Sequence, residues 1–311
     1  MPTSDWFDDL PVIGRLSPTE AAAKLRQMGE DETADSIEAA QHGTLTSADT
    51  FGLSELLGFG EKPWQYTAHA FGYLAPSLPG DHLLPIQHAG NIAGDASLKN
   101  SRVKIALNRL RVADYPGSGT HHVLFDFYAQ NQLPGEVEHV HFNATFRVLE
   151  GQQAAIINYP IFIGLNVGGE GVAFKCLTVN VKNEQDEAFL GFLESEVFQS
   201  GLKLATVAQP AIAPLSQMAI GLTKSIAKRN RNVPVQEFSM GLDFTSNAFG
   251  ARLAEGDYIA VQIPSKMRTI WDWDEWVYNP KGGEIVNNDD HSQMIPYNYI
   301  VFSINRYRGK T

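Results

Sequence analysis

From Ser101 onward, apolar and polar residues alternate with period two in one segment after another, and nothing else in this chain restricts the fold as strongly. Segment 137–149 is the clearest case. Val140, Phe142, Ala144, Phe146 and Val148 fall on one face of an extended chain, and His139, His141, Asn143, Thr145 and Arg147 on the other. Further strands are expected over 103–112, 121–128, 154–165, 172–182, 235–244, 258–263 and 297–307. Pro116-Gly117-Ser118-Gly119, Leu133-Pro134-Gly135 and Gly168-Gly169-Glu170-Gly171 supply turn chemistry between several of them. The last joins two strands instead of opening a helix, so a phosphate-cradling loop is not expected there. The fold class this implies is mainly β. It is an antiparallel β-sandwich, jelly-roll or C2-like, of about eight strands, with a helical insertion and a small helical N-terminal segment.

The chain divides into three regions. Residues 1–62 read as an acidic helical segment. Ser17-Pro18-Thr19-Glu20 is a capping box with proline at the first helical position, and Ala21, Ala22, Leu25 and Met28 form an apolar stripe behind it. A second helix is expected over 33–41 and a third over 47–58. Residues 63–100 contain four prolines and read as an irregular connector packed on the β domain. Residues 101–311 form the β domain, with a helical insertion at 183–231. That insertion holds a helix over 183–201 and another over 211–228, whose apolar residues Ile212, Leu215, Ala219, Leu222 and Ile226 are spaced as a two-heptad seam.

Charge follows the same division. Up to Lys62 there are twelve acids and four bases, so −8 of the total −11 lies in one fifth of the chain, and the remainder carries only −3. Phosphate would be repelled by the first segment, which argues against nucleic acid as a partner. The acidic start lacks a basic region followed by an apolar run, and no run reaches the roughly 18 apolar residues of a spanning helix. A soluble cytoplasmic protein is the expectation. Cys176, the single cysteine, excludes an intramolecular disulfide and any cysteine-rich metal site, and reads as a small buried hydrophobe.

Two groups of residues invite chemistry. If 121–128 and 137–149 form a hairpin with both apolar faces on the same side, Asp126 stands opposite His141 and Tyr128 opposite His139. His139, His141 and Asp126 then become a candidate divalent-metal site on one sheet face, or ordinary solvent-facing polar residues. The second group is Trp271, Asp272, Trp273, Asp274 and Trp276. On a strand, the tryptophans share one face and the acids the other, which suits stacking on a sugar ring or a partner's side chain. Alternatively, Asp272 and Asp274 join Asp289 and Asp290 around calcium. No nucleophile elbow, dinucleotide fingerprint, Walker loop or zinc-protease motif is present.

The functional expectation is a non-catalytic binding or assembly protein that recognises a protein or carbohydrate partner through the tryptophan–aspartate group. Two rival readings stand beside it. One is a metal-dependent enzyme using His139, His141 and Asp126. The other is a peripheral membrane protein attached through the helix at 211–228, whose end carries Lys224, Lys228, Arg229 and Arg231.

Overall fold

The computed structural model describes residues 6–43, 62–76, 82–186, 190, 201–204, 212–245 and 250–309. The fold is mainly β, with three sheets that are almost wholly antiparallel. Strands β1 (Ala68–Leu74), β2 (Leu84–Pro85), β3 (Gln87–His88) and β4 (Arg102–Val112) precede the long hairpin β5 (Thr120–Leu133) and β6 (Glu136–Leu149). Then follow β7 (Gln152–Gln153), β8 (Tyr159–Asn166), β9 (Gly171–Val181), β10 (Leu202–Lys203), β11 (Asn232–Asp243) and β12 (Ala251–Arg252). The chain closes with β13 (Gly256–Ile263), β14 (Trp276–Asn279), β15 (Glu284–Asn287) and β16 (Tyr299–Arg306).

The largest sheet runs β10-β8-β4-β16-β13-β1-β3, with β7 added beside β4. A five-stranded sheet runs β12-β11-β9-β5-β6, and a small one β15-β14-β2. The two larger sheets meet through aromatic side chains. Phe127 of β5 and Phe174 of β9 lie 5.3 and 5.9 Å from Phe302 of β16, all three fully buried. Cys176 sits in the same core, where burial raises its thiol pKa and removes any claim to reactivity.

Period-two alternation located the long strands correctly, and the β5–β6 hairpin turns at Pro134-Gly135, where Gly135 takes φ 85°. One stretch departs from the sequence reading. The region 63–100, expected to be irregular, contributes β1, a seven-residue strand paired along its whole length with β13. Gly72 interrupts its apolar pattern for a reason of packing. A Cβ there would come within 3.0 Å of Ile86 and the Trp273 indole, so glycine is what lets that ring approach the strand closely.

Helix α1 (Pro18–Gln27) begins with the expected capping box, Ser17 and Glu20 bonding reciprocally, and α2 (Asp31–Gly43) follows. Arg26 pairs with Asp35 and Glu38 across the two helices. The helix expected over 47–58 and most of that over 183–201 lie outside the described residues. Glu184–Asp186, at the start of the second, forms a short 3-10 turn. Helix α3 (Ile212–Ala227) lies on the outer face of the five-stranded sheet. Among the described residues no helix is long and apolar enough to cross a membrane.

Candidate functional site

The two groups singled out from sequence have opposite fates. The centre of the polar face of the β5–β6 hairpin, around Asp126, His141 and Asn143, is buried under α3 and residues 6–10, while His139 and Arg147 on the same face are exposed. The register differs by two residues from the expected one: Asp126 faces Asn143, and Tyr128 faces His141. His141 reaches Asp126 along the diagonal, with Nδ1 3.0 Å from Oδ1, and both side chains are completely buried. The other carboxylate oxygen, Oδ2, accepts from Thr223 Oγ1 at 2.9 Å, and Thr223 accepts from Asn143 Nδ2 at 2.8 Å. Ser216 accepts the backbone N–H of His141, satisfying a donor on the open side of the edge strand β6.

His139 turns away from this group and hydrogen-bonds Tyr128. Trp6 and Phe7 close over His141, their ring centroids 6.2 and 5.9 Å from the imidazole, and Trp6 Nε1–H donates to Glu237 Oε1 at 2.9 Å. Among the described residues, no group of three histidine, cysteine, aspartate or glutamate side chains is arranged to hold a metal ion. This covers the trio His139, His141 and Asp126, and also Asp272, Asp274, Asp289 and Asp290.

The polar sheet face also changes the helix. The seam expected on α3 is rotated. Ile212, Ala219 and Ile226 are buried as expected, but Leu215 is 41% exposed, while Ser216 and Thr223 point inward. A polar surface at the sheet selects polar partners from the helix, because each buried donor or acceptor left unmatched costs about 1–3 kcal/mol. The basic end of α3 is paired as well. Lys224 and Lys228 contact Asp9 at 3.2 and 2.7 Å, and Arg229 pairs with buried Asp186.

The tryptophan–aspartate group is open by contrast. It is not a strand: Asp272 caps a 3-10 turn over Trp273–Glu275 by accepting from Asp274 N–H, and β14 begins only at Trp276. Trp273 is buried under Gly72, Trp271 and Trp276 are half-buried, and Asp272 and Asp274 are exposed. The Trp271 ring lies 5.4 Å from Trp273, edge to face, and 6.3 Å from Trp276, nearly parallel.

Two adjoining clefts meet at Trp271. One, of about 570 Å³, is walled by His69, Phe71, His88, Arg252, Arg268 and Trp271 among others. The other, of about 670 Å³, lies between Gln87, His88, Asn91 and Trp271–Asp274. The shared wall, residues 87–91, is held on both sides: Ala89 N–H donates to the Phe71 carbonyl, and the Ala89 carbonyl accepts from Arg252 N–H. The rim of both clefts is thus built on hydrogen-bonded backbone.

Eleven buried side-chain polar atoms among the described residues lack a hydrogen-bond partner, and three belong to residues of these clefts: His69 Nε2, Trp271 Nε1 and Trp273 Nε1. Burial, aided by the nearby Arg15 guanidinium, pushes the His69 pKa down to about 3, so its imidazole is neutral across the physiological range. His69, His88, Asn91, Arg252 and Arg268 carried no sequence signal. They come from four separate segments, and the first three residues lie in the region read as irregular.

No protein-family model, curated protein sequence or solved structure matches this chain.

Proposed function

We propose that the protein is a non-catalytic binding protein, an antiparallel β-sandwich that recognises a carbohydrate partner at the paired clefts around Trp271. The observation that carries this reading is an indole left partly exposed between two clefts with polar rims, Asp272, Asp274, Asn91 and His88 standing exposed around it. A sugar ring offers an apolar C–H face for an aromatic ring and a girdle of hydroxyls for carboxylates and amides. Clefts that take apolar ligands are lined mainly by hydrophobic side chains, and these are not.

The test is a glycan array probed with the full chain and with Trp271→Ala and Asp274→Asn. Binding of at least one saccharide is expected, weakened roughly thirtyfold by Trp271→Ala (about 2 kcal/mol) and less by Asp274→Asn. An array without binding overturns the reading. Binding that both variants leave unchanged moves the site elsewhere.

A further inference from the structure

The two clefts differ in charge, and that difference says something about the ligand. The rim beside Trp271 on one side carries Asp272 and Asp274. The wall of the 570 Å³ cleft on the other side contains two arginines and two histidines and no acidic residue, in a chain whose net charge is −11. Arg252 is buried, donates Nη1 to the Thr245 carbonyl at 2.8 Å and stands in register with Asp243, so it serves mainly as a fixed part of the wall. Arg268 is different. It is exposed, follows the 3-10 turn Ser265–Met267, and has no ion-pair partner among the described residues.

Arg15, further in, is already paired with Glu237 at 2.6 Å, so the free positive charge of this cleft is that of Arg268. An exposed guanidinium in a cleft wall that holds no acidic residue matches the charge and forked donor geometry of a carboxylate or sulfate.

We infer that the saccharide carries an anionic substituent, a carboxylate or sulfate, seated in the 570 Å³ cleft against Arg268, with its uncharged ring hydroxyls toward Asp272 and Asp274. This rests on the carbohydrate reading above and adds a sign to it. The two carboxylates on the far rim fix the direction of the ligand, because its anionic group is repelled from that side.

The experiment is a fluorescence titration of the full chain with carboxylated and sulfated oligosaccharides, each beside its neutral counterpart, the methyl ester or the desulfated sugar. Binding is followed through the tryptophans. Each anionic member that binds is expected to do so at least tenfold more tightly than its neutral twin. The advantage should shrink with added salt and disappear in Arg268→Gln, which at an exposed position leaves the fold intact. Comparison of the carboxylated and sulfated members identifies which anion the cleft takes. Equal or tighter binding of the neutral twins overturns the anionic assignment while leaving the carbohydrate reading standing. An undiminished preference in Arg268→Gln also overturns the assignment to this cleft. Absence of binding by every member, charged or neutral, removes both.

Discussion

The hairpin face under α3 and the loop around Trp271 are built from the same kinds of residue, histidine, aspartate, asparagine and tryptophan, yet the protein treats them in opposite ways. At the hairpin, Asp126, His141, Asn143, Thr223 and Ser216 are tied together by hydrogen bonds, with Asn143 Oδ1 left over, and are roofed by Trp6 and Phe7. At the clefts, the acids remain exposed and three ring nitrogens remain unmatched. Polar groups matched inside the protein specify packing, and polar groups left exposed around an open cleft have capacity for a ligand. Residue type alone does not separate the two. Whether the partners are already inside the protein does.

Breaking the sealed region tests this contrast most severely. Asp126→Ala removes the acceptor for both His141 and Thr223 and strands two buried donors, so a loss of roughly 3–5 kcal/mol is expected in urea denaturation. A loss under about 1 kcal/mol would mean that the network is not holding the helix to the sheet.

Asp114 shows what burial costs when no such network exists. Its carboxyl pKa is pushed up to about 6 by burial, opposed by Lys62 and reinforced by Glu150 and Glu30. Since the folded pKa lies above the unfolded one, stability is lost as pH rises from about 4 to 6, when the ionised carboxylate must be kept partly out of water. Asp114→Asn is therefore expected to stabilise the fold by roughly 2–3 kcal/mol at pH 8 and hardly at all at pH 4. Denaturation curves at the two pH values compare these directly.

A smaller change, Thr223→Val, keeps the shape but deletes one donor and one acceptor, for an expected loss of about 1–2 kcal/mol in the same assay. Smallest of all is Lys228→Ala at the basic end of α3. That side chain is 57% exposed and paired with Asp9, so the expected loss stays under about 1 kcal/mol and fades with salt.

The long strands were legible because an antiparallel sheet needs one apolar face and writes it with period two. What packs against the other face is not written in the strands themselves. The alternation of His139, His141 and Asn143 shows that a face is polar but not what covers it. Only the helix, whose Ser216 and Thr223 meet this face from 75 and 80 residues further on, decides that. The same gap explains α3: a seam of Ile212, Leu215, Ala219, Leu222 and Ile226 suits an apolar surface, and the surface it meets is polar. Strand β1 was hidden by Gly72, whose lack of a side chain serves Trp273 instead of the alternation. Trp271 to Trp276 stood out by composition, but the cleft around them depends on His69, His88, Asn91 and Arg268, which only the fold assembles.

The central claim, that the clefts at Trp271 bind a ligand while the hairpin network only holds the fold, reduces to one comparison of affinities. The dissociation constant of the tightest saccharide on the array is measured for the intact chain, Trp271→Ala and Thr223→Val below their unfolding temperatures. The account predicts weakening of about thirtyfold in Trp271→Ala and an unchanged value in Thr223→Val. Full affinity in Trp271→Ala, or a loss in Thr223→Val as large, would contradict it.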